Sequence, residues 1–323
     1  MNTISNKPVG AEQERLAEQI KSIQKVSIEQ IELFAENLDI KKAGEIYQEY
    51  GCLVVRGMTR PYIDAIARDI DAIHQETLAQ QSEAQKVPEG WRTPNGALLL
   101  PAPKGWNRDK QIMILPMSYR RSAAAFLSAI DSKVLDVAET ALGPNIELFM
   151  DGQCVFKEAT GGHPKNLHQD SAYFEHKHQG PVACLNYVVE TGLKNGALYV
   201  IPGSHRLGQL RHVDTFSHLG LPFDEWSWEH AVPVIGKPGD AIFFQVQTIH
   251  GSQPNHSDLP RPVMIHRYRA ANDYTVVGAT RVDNRKEAEA KAAQATKATQ
   301  QNYMVRGFRS WKDIASDQVA WNH

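Results

Sequence analysis

The chain of 323 residues contains no run of about 18 consecutive apolar residues, the length a helix needs to cross a bilayer. Its opening, Met1-Asn2-Thr3-Ile4-Ser5-Asn6-Lys7, carries no apolar segment of the kind a secretory leader has. Cysteine is scarce: Cys52, Cys154 and Cys184 are far apart, odd in number and set among apolar neighbours. That argues against a disulfide framework and fits buried, reduced thiols in a reducing cytosol. Charge of one sign is also lacking. With 35 Lys and Arg against 37 Asp and Glu the formal net charge is −2, so nothing marks nucleic acid or an acidic membrane as a partner. These absences lead to the expectation of a soluble, cytoplasmic protein. What is present is ordinary globular material, 42% hydrophobic and 22% charged, with ample chain to bury a core.

Ile40, Ala43, Ile46, Tyr47 and Tyr50 recur at helical spacing, and Gly51 stops that helix. Cys52-Leu53-Val54-Val55 reads as a short buried strand. Pro61 suits the first turn of a second helix reaching about Gln81, with Ile63, Ile66, Ile70 and Ile73 on one face. Residues 82–118 break periodicity with Pro88, Pro101, Pro103 and Pro116, and read as a long irregular lid or wall. A single helix is expected over 126–142. From Asn145 short strands follow: 146–150, 153–157, the segment holding His168, 181–189, 197–201, 231–235, 241–249 and 262–270. Asn195-Gly196 reads as a hairpin turn, and residues 206–230 as an insertion. Such a series indicates an antiparallel sandwich or barrel, not βαβ units. Residues 284–301 read as an exposed charged helix, and 303–311 as a segment that docks back onto the body. One domain is expected over 1–323: a mostly helical part over 1–143, a β core over 144–270 and a helical extension over 271–323.

The chemistry concentrates at Leu167-His168-Gln169-Asp170-Ser171-Ala172-Tyr173-Phe174. On an extended strand residues i and i+2 share a face, so His168 and Asp170 can reach one point from one rigid element. His250, closing the strand after the Gly239-Asp240 turn, is the best candidate for a third ligand. Two histidines and one carboxylate with open positions are the arrangement of non-haem iron(II) oxygenases; zinc more often takes a closed tetrahedral set. The open positions can accept a chelating 2-oxo acid and dioxygen. A 2-oxo diacid leaves a distal carboxylate whose burial requires a partner. Arg261, eleven residues beyond His250, supplies a bidentate guanidinium, and Ser252 a hydroxyl donor.

Taken together, His168-Gln169-Asp170-Ser171-Ala172-Tyr173-Phe174, the run from Asn195 through Gly203-Ser204-His205, and Gly239-Asp240 followed by His250, Ser252, Asn255 and Arg261 resemble the phytanoyl-CoA dioxygenase family. The resemblance extends from about Ala43 to Arg269. It implies a mainly β chain with flanking helices around a double-stranded β-helix (jelly-roll, cupin-like) core. It implies iron(II) held by His168, Asp170 and His250, with 2-oxoglutarate held by Arg261 and Ser252. The reaction it implies uses O2 to hydroxylate an unactivated C–H bond of a small organic molecule and releases succinate and CO2. Many members of the family carry a tryptophan beside the co-substrate on the strand before the Asn-Gly turn. Here that strand reads Cys184-Leu185-Asn186-Tyr187, and Asn186 or Tyr187 takes its place. Related halogenases replace the ligating carboxylate with Ala or Gly, so Asp170 argues against halogenation.

Further candidates follow from position. Gln153 and Lys157 share a face of the strand leading to the site, where Gln153 would bond the co-substrate and Lys157 the substrate. Tyr173, Phe174, His163 and Trp226 are candidates for the substrate wall, each weighed against plain packing. The remaining histidines read as surface or structural. The same cofactor chemistry also gives desaturation, epimerisation, cyclisation or endoperoxidation. Outside that chemistry stand a jelly-roll binding protein without catalysis and a zinc hydrolase, which would leave Arg261 without a purpose. No motif in the chain encodes the substrate or the oligomeric state.

Overall fold

The computed structural model describes residues 18–102, 104–106, 108–215, 219–222, 225–278 and 302–309. Eight strands build its core: β1 Gln153–Lys157, β2 Lys165–His168, β3 Val182–Tyr187, β4 Leu198–Val200, β5 Val232–Val234, β6 Ala241–Gln245, β7 His250–Ser252 and β8 Arg261–Ala270. The chain deals them onto two sheets. β1, β8, β3 and β6 lie side by side in the larger one, and β2, β7, β4 and β5 in the smaller. All the pairings among the eight are antiparallel. This is the expected jelly-roll, and a cavity lined by residues of both sheets lies between them.

Strand β3 is buried along its whole length. One face meets the cavity; the other meets the apolar sides of helices, so its sequence lacks the polar alternation of a half-exposed strand. Those helices are α1 Ile40–Tyr50, α2 Arg60–Ala79, α3 Ala123–Ala129 and α4 Ser132–Leu142. The Asp39 side chain accepts the Lys42 N–H to start α1, and Gly51 ends it at φ +68°, a conformation that favours glycine. Cys52–Arg56 then joins the larger sheet beside β6, with Glu32–Phe34 parallel at its far side. No helix among the described residues is long and apolar enough to cross a membrane.

Four expectations are corrected. The helix over 126–142 is two helices, because Ser122 caps α3 through the Ala125 N–H and Asp131 caps α4 through the Lys133 N–H. Residues 82–118 are not irregular: Gln85–Val87, Gly90–Arg92, Leu98–Pro101 and Lys110–Pro116 form a meander that extends the larger sheet from β1. Pro101 and Pro116 stand at strand ends, where a missing N–H costs the ladder little. The region is nonetheless a cavity wall, through Leu98, Met113 and Ile114. Asn195-Gly196 does not close a hairpin, since β3 and β4 belong to different sheets. Gly196 has φ +83°, whereas Met150 and Thr160 are the positive-φ non-glycines among the described residues. Asn195 instead accepts the Gly192 N–H and donates to the Glu190 carbonyl. Finally, the regular elements among the described residues of 271–323 are strands, Thr275–Gly278 and Met304–Arg306. The latter docks on Ile146–Leu148. The charged helix expected over 284–301 lies outside the described residues.

Candidate active site

β2 ends at His168 and β7 begins at His250, and these two residues are direct partners in the antiparallel ladder. Their rings lie 4.3 Å apart between centroids. The paired strand stops at His168, and Asp170 opens a 3-10 turn, Asp170–Ala172. The strand expected through Asp170 is therefore shorter. Its geometric consequence survives because Gln169 keeps extended backbone, φ −111° and ψ 137°, so positions 168 and 170 still share a face. Asp170 Oδ1 is 3.7 Å from His168 Nε2 and 3.8 Å from His250 Nε2. All three residues are buried, and one donor atom from each lies within 4.8 Å of the others.

The rings are held from behind. His168 Nδ1 meets the Asn166 carbonyl at 2.7 Å and His250 Nδ1 meets the Thr248 carbonyl at 2.9 Å. An Nδ1–H donated to a carbonyl leaves the Nε2 lone pair free for a metal. Burial pushes His250 below its ordinary value, which keeps it neutral and a competent ligand. Gln169, between the ligands, points the opposite way. Its amide donates to the Gly208 and Gln247 carbonyls, and its oxygen accepts the Leu210 N–H. It fixes the ligand turn to the chain after β4. Two neutral imidazoles and a carboxylate converging on one point, open toward the cavity, suit a divalent ion with vacant positions.

The cavity measures about 380 Å³. Arg261 lines its other end and is 2% exposed. One Nη donates to the Gly196 carbonyl at 2.7 Å, while Nε has no partner. No carboxylate among the described residues pairs with this guanidinium. Burial pulls it down to about 10, so it stays charged at neutral pH. A buried cation with an unfilled donor is costly until an anion meets it. Ser252 lines the same cavity from the smaller sheet. A guanidinium and a hydroxyl are donors of the kind that bind a carboxylate.

Gln153, Tyr173 and Phe174 also reach the cavity; four other candidates do not. Asn186 lies on the far face of β3, donating its amide to the Cys184 and Met264 carbonyls and accepting from Thr59. Strand alternation turns Leu185 and Tyr187 inward instead, so Tyr187 is the one that faces the cavity. Lys157, 1% exposed, donates to the His163 carbonyl at 2.5 Å and anchors the loop after β1. The His163 ring turns onto the Pro164 carbonyl. Trp226 packs with Leu167, Ile201, Leu221 and Ile249. Leu167 and Ile249 alternate with the inward-facing His168 and His250, which places that cluster behind the smaller sheet.

Two cationic residues of the cavity lay outside the sequence candidates. Arg267 follows Arg261 at even spacing, and Arg261, Val263, Ile265 and Arg267 all line the cavity; the parity of β8 was the available signal. Its Nη2 is 3.6 Å from Asp170 Oδ2, its Nη1 donates to Gln153 Oε1 at 2.9 Å, and it lies over the Phe174 ring at 5.7 Å. Lys165, which opens β2, lines the cavity too. Burial pulls it down to about 8.

A match to the phytanoyl-CoA dioxygenase (PhyH) family spans residues 47–263. The chain is 32% identical over 169 residues to a probable alpha-ketoglutarate-dependent hypophosphite dioxygenase of Stutzerimonas stutzeri, covering 47% of this chain and 57% of that one. It is 30% identical over 139 residues to a methylphosphonate hydroxylase of Gimesia maris, covering 43% and 51%. The chain thus spans about half the length of the curated relatives it matches. Among solved structures, the non-heme monooxygenase ThoJ superposes with a TM-score of 0.56 at 17% identity, over 82% of this chain and 84% of that one. EctD from S. alaskensis with 2-oxoglutarate and 5-hydroxyectoine superposes with 0.55 at 19%, over 75% and 79%. At such identity the likeness is one of fold.

Proposed function

Because the chain belongs to the phytanoyl-CoA dioxygenase family, we propose that it is an iron(II)- and 2-oxoglutarate-dependent dioxygenase that hydroxylates a C–H bond of a small organic molecule. The observation that carries this reading is a single cavity with two complementary ends. One end gathers His168, Asp170 and His250; the other holds a buried guanidinium that meets no anion among the described residues. A zinc hydrolase would have no use for the second end.

In this reading His168, Asp170 and His250 hold iron(II), and Arg261 with Ser252 receives the distal carboxylate of 2-oxoglutarate. Iron(II), 2-oxoglutarate and O2 together supply a two-electron oxidation of the substrate, coupled to decarboxylation of the co-substrate to succinate and CO2. The protein's part is placement and exclusion of water. The carbonyls of Asn166 and Thr248 hold both imidazoles with Nε2 forward. Tyr187 spends its hydroxyl on the Val234 carbonyl and the Leu198 N–H, so it offers the co-substrate only a ring face. Leu185, Phe244, Val263 and Ile265 keep the middle of the cavity apolar. Tyr173 and Phe174 wall the space beside the ligands. A volume of about 380 Å³ lies at the small end of ligand cavities, and the co-substrate shares it. The relatives named for hypophosphite and methylphosphonate support a small substrate as well.

The test is release of succinate from 2-oxoglutarate with iron(II) and ascorbate, screened against small organic molecules. Turnover should depend on iron, and His168→Ala or Asp170→Ala should abolish it. Tight zinc binding with no succinate from any candidate substrate would overturn the reading.

A further inference from the structure

We propose that Arg267 and Lys165 form a second anion site, which binds a carboxylate or phosphonate group of the substrate. This rests on the iron and 2-oxoglutarate reading above.

Arg261 and Arg267 stand on one strand with the same parity. Six residues at about 3.3 Å each put them roughly 20 Å apart along β8. A distal carboxylate held at Arg261 therefore cannot also fill Arg267. The Arg267 side chain is 10% exposed and its Nε has no partner. Its approach to Asp170, 3.6 Å, is longer than a hydrogen bond, and Gln153 takes a single donor. Lys165 faces the same space, and no hydrogen bond or ion pair holds its ammonium among the described residues. Of the other side chains lining the cavity, Met113, Ile114 and Ile265 offer nothing to a cation, and Glu89 is exposed to solvent.

Formal charge points the same way. Three cations, Lys165, Arg261 and Arg267, share the inner cavity with one carboxylate, Asp170, while Glu89 stands exposed at the rim. A doubly charged metal ion and a doubly charged co-substrate cancel. The loaded site keeps a surplus of two positive charges beside the ligands; a doubly ionised phosphonate on the substrate would cancel it and a carboxylate would halve it. A neutral substrate would leave both cations desolvated and unmatched. Carboxylate and phosphonate share the planar or forked oxygens that a guanidinium and an ammonium bind together.

The experiment uses the protein loaded anaerobically with iron(II) and 2-oxoglutarate, so that nothing turns over. Binding of butyrate, propylphosphonate and neutral butyramide is measured by calorimetry, on the unaltered chain and on Lys165→Gln and Arg267→Gln. At least one of the two anions should bind ten times more tightly than butyramide, and the stronger one identifies the oxyanion. Lys165→Gln, which touches no ligand of the metal, should weaken that anion at least tenfold. It should leave butyramide, iron and 2-oxoglutarate affinities within twofold. Equal binding of butyrate, propylphosphonate and butyramide would overturn the assignment. So would variants that lose 2-oxoglutarate instead of the anion, since the two cations would then serve the co-substrate. A protein that takes up neither iron nor 2-oxoglutarate overturns the parent reading, and this one with it.

Discussion

Arg261 is the residue at which stability and function oppose each other. Its guanidinium is buried, carries an unfilled donor and meets no carboxylate among the described residues. Breaking a charge pair in a core is costly, whereas removing a charge that was never paired relieves a cost. Arg261→Met should therefore raise the melting temperature of the ligand-free protein, by about 1–2 kcal/mol of stability. The same change should abolish the stabilisation that 2-oxoglutarate gives. Thermal denaturation with and without the co-substrate checks both signs; a variant that melts lower and still responds to 2-oxoglutarate would contradict the account. At this scale residue type and short spacing were enough to pick out His168, Asp170 and His250, which the fold gathers, and Ser252 and Arg261, which line the same cavity. They failed for Asn186, Lys157 and Trp226, whose direction depends on which face of a strand looks inward. Parity was readable for Arg267, but only once Arg261 had been placed facing the cavity.

Between elements, β8 is tied to α3 by two polar contacts in the core. His266 bridges Ser128 Oγ at 2.8 Å and the Tyr119 hydroxyl at 3.1 Å, and the Tyr268 hydroxyl donates to the Ala129 carbonyl. Burial pushes His266 from 6.5 down to about 3. In the unfolded chain it binds a proton below about 6.5, while in the folded chain it stays neutral until about 3. Between those values the unfolded state holds more protons, so stability falls as pH falls through that window. The expected loss is about 1.4 kcal/mol per pH unit where the difference is complete. Urea unfolding of the chain and of His266→Gln from pH 7 to pH 4 checks this: the variant should start less stable and lose less with acid. Strand and helix existence was legible here because periodicity is local. Boundaries were not, where a side chain overrides the pattern. Ser122 and Asp131 cut one expected helix into two, and prolines at strand ends made a meander resemble a loop.

Across the whole molecule, the candidate ligands sit on the smaller sheet and the turn that follows it, whereas Arg261 sits on the larger. A 2-oxo diacid chelated at one and clamped at the other would join the two sheets. Iron(II) and 2-oxoglutarate together should then raise the melting temperature by more than the sum of their separate effects. Melting curves taken anaerobically, with a chelator as control, test this, and strictly additive shifts would count against it. The jelly-roll itself was only partly legible. Short strands with tight turns specify an antiparallel sandwich, but which strand pairs with which is a long-range matter. His168 opposite His250 is a register that no local window contains. The resemblance carried by the motifs, not periodicity, selected the topology.

The ten-residue run of β8 also acts as a ruler. If Arg261 marks one end of the co-substrate and Arg267 the head of the substrate, the gap between the two molecules is counted in residues along one rigid strand. Deleting one residue between them would turn the downstream mark outward, because parity flips. Inserting two would keep both marks inward and lengthen the gap by about 7 Å. Substrate length on this scaffold can therefore change only in two-residue steps along β8, or by moving the head group to a different strand.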